Sequence, residues 1–174
     1  MSRKDEKRSK LPDVPWITKD GYLDLNKFPI DSVLELAVSD DVEKIGSACR
    51  LLSSMACGGR TEAGIFLYGL LKYCGDDRVK KESVVEALGS VKTRASADLL
   101  FDELNKTESS NATRGYIKKI LKALGRFPLE LVIDGFDALL SDPKWSYRMK
   151  QKFEALLEAI ECRGMERIYN WEED

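Results

Sequence analysis

Two stretches of this chain repeat each other at a spacing of 36 residues. Arg78 to Gly89 is matched by Arg114 to Gly125: each has an opening arginine, a basic pair, two apolar residues, a charged residue and then Ala-Leu-Gly. The same step again lays Phe153, Leu156, Leu157, Ala159 and Ile160 on Ile117, Ile120, Leu121, Ala123 and Leu124, with Glu161 in place of the glycine. Asp41-Val42, followed by Ala48, Leu51 and Leu52, is a looser earlier copy. A period of this length marks stacked supersecondary units, each too small to bury its own apolar face alone.

Inside each copy the apolar residues fall at i, i+3, i+4 and i+7, the spacing of an amphipathic helix. A second stripe follows each: Ala63, Phe66, Leu67, Leu70 and Leu71, then Ala97, Leu100, Phe101 and Leu104, then Ile133, Phe136, Leu139 and Leu140. The pattern predicts helices near 30–38, 41–56, 61–74, 77–88, 94–105, 112–124, 128–141 and 144–162. Gly89 and Gly125 are expected as left-handed residues ending their helices. Asp142-Pro143 is expected to cap and open the last helix, and Ser109-Ser110-Asn111 to precede the one near 112–124. Nothing alternates with period two for long enough to require a strand. Connections of about two to seven residues suit antiparallel hairpins. The expected fold is all-α, a short α-solenoid of antiparallel helix pairs over residues 30–162.

The flanks read differently. Residues 1–11 form a basic, polar tail, with Arg3, Lys4, Lys7, Arg8 and Lys10 against Asp5 and Glu6, which predicts disorder. Residues 12–29 hold Pro12, Pro15, Trp16, Gly21 and Pro29 and read as an extended lead-in, with Trp16 plugging the open end of the first hairpin. Residues 163–174 are expected to fold back as a C-terminal cap through Met165, Ile168, Tyr169 and Trp171. The alternative is a recognition tail in which Tyr169 and Trp171 stand beside Glu172, Glu173 and Asp174.

Composition removes whole classes of chemistry. The chain's 174 residues include no histidine, so Ser-His-Asp and Cys-His catalysis and His-based metal sites are excluded. The four cysteines, Cys49, Cys57, Cys74 and Cys162, form no CxxC pair and sit in apolar helical patterns, which predicts reduced core thiols and a cytoplasmic protein. No run of 18 apolar residues and no signal-peptide pattern occurs, so no membrane association is expected. No Gly-rich phosphate loop is present, and no cofactor or metal is called for.

The pattern of a charged residue, Val or Ile, two later apolar residues and Ala-Leu-Gly, followed by a second apolar helix ending in Leu, resembles HEAT-like repeats. It is closest in kind to the short subtype of phycobilisome lyases. Arg78 to Leu104 carries the resemblance best, Arg114 to Leu140 next, and it extends loosely over residues 40–160. It implies a right-handed superhelix whose second helices line the concave side. The diiron hydroxylases built on such repeats need His-Glu pairs and are ruled out. Trp145, Tyr147 and Arg148 offer the aromatic and Arg side chains of the HEAT-like enzymes that excise alkylated bases, but end units need aromatic filler anyway.

Charge divides between the two helices of each unit. The first helices hold Arg114, Lys118, Lys119, Lys122, Lys144, Arg148, Lys150 and Lys152. The second hold Asp31, Glu35, Glu62, Asp98, Asp102, Glu103, Glu130, Asp134 and Asp137 against only Lys72 and Arg94. With second helices inside, the groove is acidic, which attracts a basic protein or peptide and disfavours nucleic acid. The candidate binding residues are Tyr68, Asp98, Asp102, Glu130, Asp134 and Asp137, with Asp98 and Asp134 at matching places in successive units. Simple solvation of exposed helix faces explains the same acids, and packing beneath the lead-in explains Tyr68. With no catalytic constellation, the expected function is a non-enzymatic protein-interaction module that binds a basic partner. The alternatives are a small enzyme of the bilin-lyase type using the concave groove, and an immunity or inhibitor protein of a basic effector.

Overall fold

The computed structural model describes residues 14–169 apart from position 19, with side chains as far as Gly164. The described residues form eight α-helices: α1 (Ile30–Ala37), α2 (Val42–Cys57), α3 (Thr61–Tyr73), α4 (Arg78–Val91), α5 (Arg94–Lys106), α6 (Arg114–Leu124), α7 (Ile133–Ser141) and α8 (Tyr147–Tyr169). Among these residues no strand forms, so the chain is all-α; only an isolated bridge joins Ile17 to Leu23. Among the described residues no helix is long and apolar enough to cross a membrane. The basic tail expected over residues 1–11 lies outside the described residues.

Short polar residues cap three of the helices, α2, α4 and α5. Asp41 accepts hydrogen bonds from the N–H groups of Glu43 and Lys44, Asp77 from Lys80, and Thr93 from Ser96. Each such cap is worth about 1 kcal/mol by satisfying donors that the first turn leaves unpaired. The helix expected over 128–141 is broken: Pro128 leads into a 3-10 turn (Leu129–Leu131), and α7 begins only at Ile133.

Several local expectations fail for identifiable reasons. Gly89 ends nothing. It lies within α4, and the left-handed residue that closes that helix is Lys92, at φ 53°. Gly125 follows α6 with right-handed geometry, φ −61°. Both glycines are there for room: a Cβ on Gly89 would sit 2.8 Å from the Cβ and 3.0 Å from the Cα of Ala123, and one on Gly125 would sit 3.0 Å from Leu156 Cδ1. Asp142 does not cap the last helix. Its carboxylate takes the N–H of Lys144 at 2.8 Å in a tight turn, and α8 opens after Ser146. Nor does the chain turn back after residue 162, since α8 runs on to Tyr169. Trp171 lies outside the described residues.

The core is one continuous cluster. Ile45, Leu52 and Met55 of α2, Val84 and Leu88 of α4, and Ile117, Ile120 and Leu124 of α6 are buried together with Leu67, Leu100, Leu104 and Phe136 of the alternate helices. α2 packs directly on α4, and α4 on α6; α3 packs on α2 and α4, α5 on α4 and α6, and α7 on α8. An aromatic chain closes the far end, where Phe101, Phe136, Phe153 and Trp145 follow one another with ring centroids 5.3, 6.5 and 5.3 Å apart. At the near end residues 16–18 and 20–24 form a small hairpin rather than an extended strap. The Asp24 N–H donates to the Trp16 carbonyl, and Gly21 takes φ 85° at the turn. Trp16 meets Phe28 edge-on at 6.2 Å, while Arg60 holds the lead-in by donating to the carbonyls of Leu25 and Phe28.

Candidate interaction surfaces

The acids singled out in the sequence are exposed on α5, α7 and the 3-10 turn, and one cation links two of them. Arg94 reaches Asp98 at 3.4 Å on its own helix and Asp134 of α7 at 2.8 Å, and its guanidinium also donates to the Glu130 carbonyl. Asp98 and Asp134 therefore share one side, as their matching repeat positions suggested. Asp134 beside the guanidinium holds Arg94 more firmly charged than usual. Asp102 lies apart from them, on a shallow depression of about 240 Å³ rimmed by Lys72, Lys81 and Lys106. Asp137 is exposed. Tyr68 is half-buried against the core, and its hydroxyl bonds to Thr93 at 2.9 Å and Ser96 at 3.4 Å, joining α3 to the start of α5.

Glu103 does not share that face. It is 8% exposed and takes Lys81 of α4 at 2.6 Å and the Tyr116 hydroxyl of α6 at 2.9 Å on one carboxylate oxygen. This charged pair and phenol tie three helices together beneath the surface. Burial, then the hydrogen bond to Glu103, pushes the Tyr116 phenol well above its ordinary value. Two of the four thiols lie deep as expected: burial, with the Cys74 thiol nearby, drives Cys49 up to about 12, and burial also raises Cys74. These are inert thiols. Cys57 and Cys162, expected in the core, are exposed instead. Trp145 is buried against Phe153, which removes it from any groove.

A larger hollow opens elsewhere, between α6, the start of α8 and the 109–111 loop. It measures about 680 Å³, within the range of ligand-binding clefts. Ile117, Leu121 and Met149 supply its apolar part, and Arg114, Lys118, Arg148 and Lys152 ring it. Arg114, Lys118 and Lys122 stand at i, i+4 and i+8, so they run along one side of α6, a helix with no acidic residue. A second hollow of about 260 Å³ continues beside it, lined by Lys118, Lys119, Lys122 and Arg126 with Glu86. Lys119 pairs with Glu82 at 3.1 Å and Arg126 with Glu86 at 3.5 Å. Arg114, Lys118, Lys122, Arg148 and Lys152 have no carboxylate partner among the described residues.

No protein family, curated protein or solved structure matches the chain. Its candidate sites therefore rest on geometry alone. Among the described residues no three acidic or thiol side chains gather as a metal site. The cationic hollow was missed as a site because its residues come from α6 and α8, which do not adjoin in sequence. Its one local signal was the unbroken basic side of α6.

Proposed function

We propose that the chain is a short solenoid of HEAT-like helix pairs serving as a non-enzymatic protein-binding module, and that its partner sits on the side formed by α2, α4, α6 and the start of α8. In a curved stack of helix pairs, the layer whose helices approach most closely lies inside. The contact of Gly89 with Ala123 favours α4 and α6 for that layer. The alternate helices are bridged by long side chains instead: Tyr68 from α3 to α5, and Arg94 from α5 to α7. This reading places the concave side on the first helices of each unit, opposite to what the family resemblance implied, and Asp98, Asp134 and Asp137 on the outer layer.

The observation that carries it is the apolar-floored, cation-ringed hollow on that side. Unpaired cations around half-buried aliphatic side chains are what a docking site offers: orientation from charge and affinity from burial. A second reading, an acidic outer face taking a basic partner, draws on the side-by-side placement of Asp98 and Asp134 by Arg94.

Affinity capture from native lysate separates the two. The triple variant Lys118→Glu/Arg148→Glu/Lys152→Glu is expected to lose the partner, while Asp98→Lys/Asp102→Lys/Asp134→Lys/Asp137→Lys keeps it. Circular dichroism confirms equal helicity in both. The reverse result establishes the acidic-face reading, and retention by both variants refutes binding through either surface.

A further inference from the structure

We infer that the hollow between α6 and α8 receives an acidic, amphipathic segment of a partner protein, with its large apolar side chains on the Leu121–Met149 floor and its carboxylates on the surrounding cations. The inference rests on the proposed binding side and adds the chemistry of its occupant.

Charge complementarity gives the sign. Arg114, Lys118, Arg148 and Lys152 surround the opening with no acid among its lining residues, and none of them is engaged by a carboxylate among the described residues. The neighbouring cations Lys119 and Arg126 are paired, with Glu82 at 3.1 Å and Glu86 at 3.5 Å, whereas those around the hollow are not. A ring of like charges left without counterions on one small surface repels itself and is relieved by an incoming anion.

The floor decides between kinds of anion. Single-stranded nucleic acid is held by aromatic platforms on which bases stack, and no aromatic side chain lines this hollow. Duplex binding draws on phosphate neutralisation over a broad basic surface, whereas here Glu82 and Glu86 bound the cations on the α4 side and the whole chain carries a net charge of −2. An aliphatic floor of half-buried Leu121 and Met149 matches leucine-like anchors. Lys118 and Lys122, one turn apart on α6, match carboxylates at the same spacing on a helical segment.

Fluorescence anisotropy on the full chain tests this with four probes. They are a peptide with Leu at helical i, i+4 and i+7 positions and Glu between, its Leu→Ser form, its Glu→Lys form, and a 20-nucleotide oligodeoxythymidine. The acidic Leu peptide is expected to bind at least tenfold more tightly than each of the others. Lys118→Glu/Arg148→Glu/Lys152→Glu should weaken it at least tenfold, and the milder Lys118→Gln/Lys152→Gln severalfold, with helicity unchanged. Equal binding of the Leu→Ser peptide, or tighter binding of the oligonucleotide, overturns the inference in favour of a general anion surface. Failure of the acidic peptide to bind also overturns it. If capture from lysate still depends on Lys118, Arg148 and Lys152 in that case, the binding side stands and only the occupant's chemistry falls.

Discussion

Gly89→Ala is the sharpest test of how these helices are put together. A Cβ at position 89 would lie 2.8 Å from Ala123 Cβ, 3.0 Å from its Cα and 3.3 Å from its carbonyl oxygen. Carbon atoms in good contact stand roughly 3.5–4.0 Å apart, so α4 and α6 would have to separate by several tenths of an ångström. The obstructing atoms are backbone and a methyl, which cannot swing away. Overpacking of this kind costs roughly 1–3 kcal/mol, and the upper end fits a clash with backbone. Replacing a mid-helix glycine by alanine returns about 1 kcal/mol. The net loss is therefore about 2 kcal/mol, or roughly 4–8 °C in Tm for a chain of this size. Gly69→Ala is the control, because it lies within α3 with nothing within 4 Å of the added methyl. It should stabilise by up to about 1 kcal/mol. Urea denaturation followed by circular dichroism reads both variants. If Gly89→Ala stabilises as Gly69→Ala does, the close approach of α4 to α6 is wrong, and with it the argument for which layer lies inside.

Glu103→Ala strands Lys81 and the Tyr116 hydroxyl and should cost about 3–5 kcal/mol in denaturant titration; Lys81→Met/Glu103→Leu/Tyr116→Phe should recover most of that, and failure to recover would mean the network contributes net attraction. Stability should fall as pH rises above 9, since the unfolded Cys49 thiol ionises near 9.0 while burial keeps the folded one protonated to about 12. The unfolded state then binds fewer protons, which costs roughly 1 kcal/mol per pH unit. Cys49→Ala should make the slope between pH 9 and 10 shallower, with Cys74 and Tyr116 supplying what remains, and an unchanged slope would contradict the burial of that thiol. Trp145→Phe should change stability by less than about 1 kcal/mol. The lost indole volume is offset by removing a buried N–H with no hydrogen-bond partner among the described residues; a loss above about 3 kcal/mol would show that the N–H is bonded.

The sequence by itself determined where the helices lie. α1 to α6 begin and end within about three residues of the expected positions because 3.6-residue periodicity, and in α2, α4 and α5 an Asp or Thr cap, are local properties written into neighbouring residues. It also determined that Asp98 and Asp134 share a side, since equal register in successive repeats places them alike. What tertiary structure alone decided is what each helix faces. Gly89 reads as a helix terminator in sequence and proves to be the contact point with Ala123, because an interhelical distance is not encoded near either residue. Glu103 belongs by spacing to the acidic set, yet Lys81 and Tyr116 from two other helices draw it inward. The 163–174 segment was expected to turn back and α8 instead extends to Tyr169. Above all, the cationic hollow exists only where α8 is brought against α6. Periodicity fixes which residues of a helix point the same way; only packing between distant segments fixes what stands opposite them.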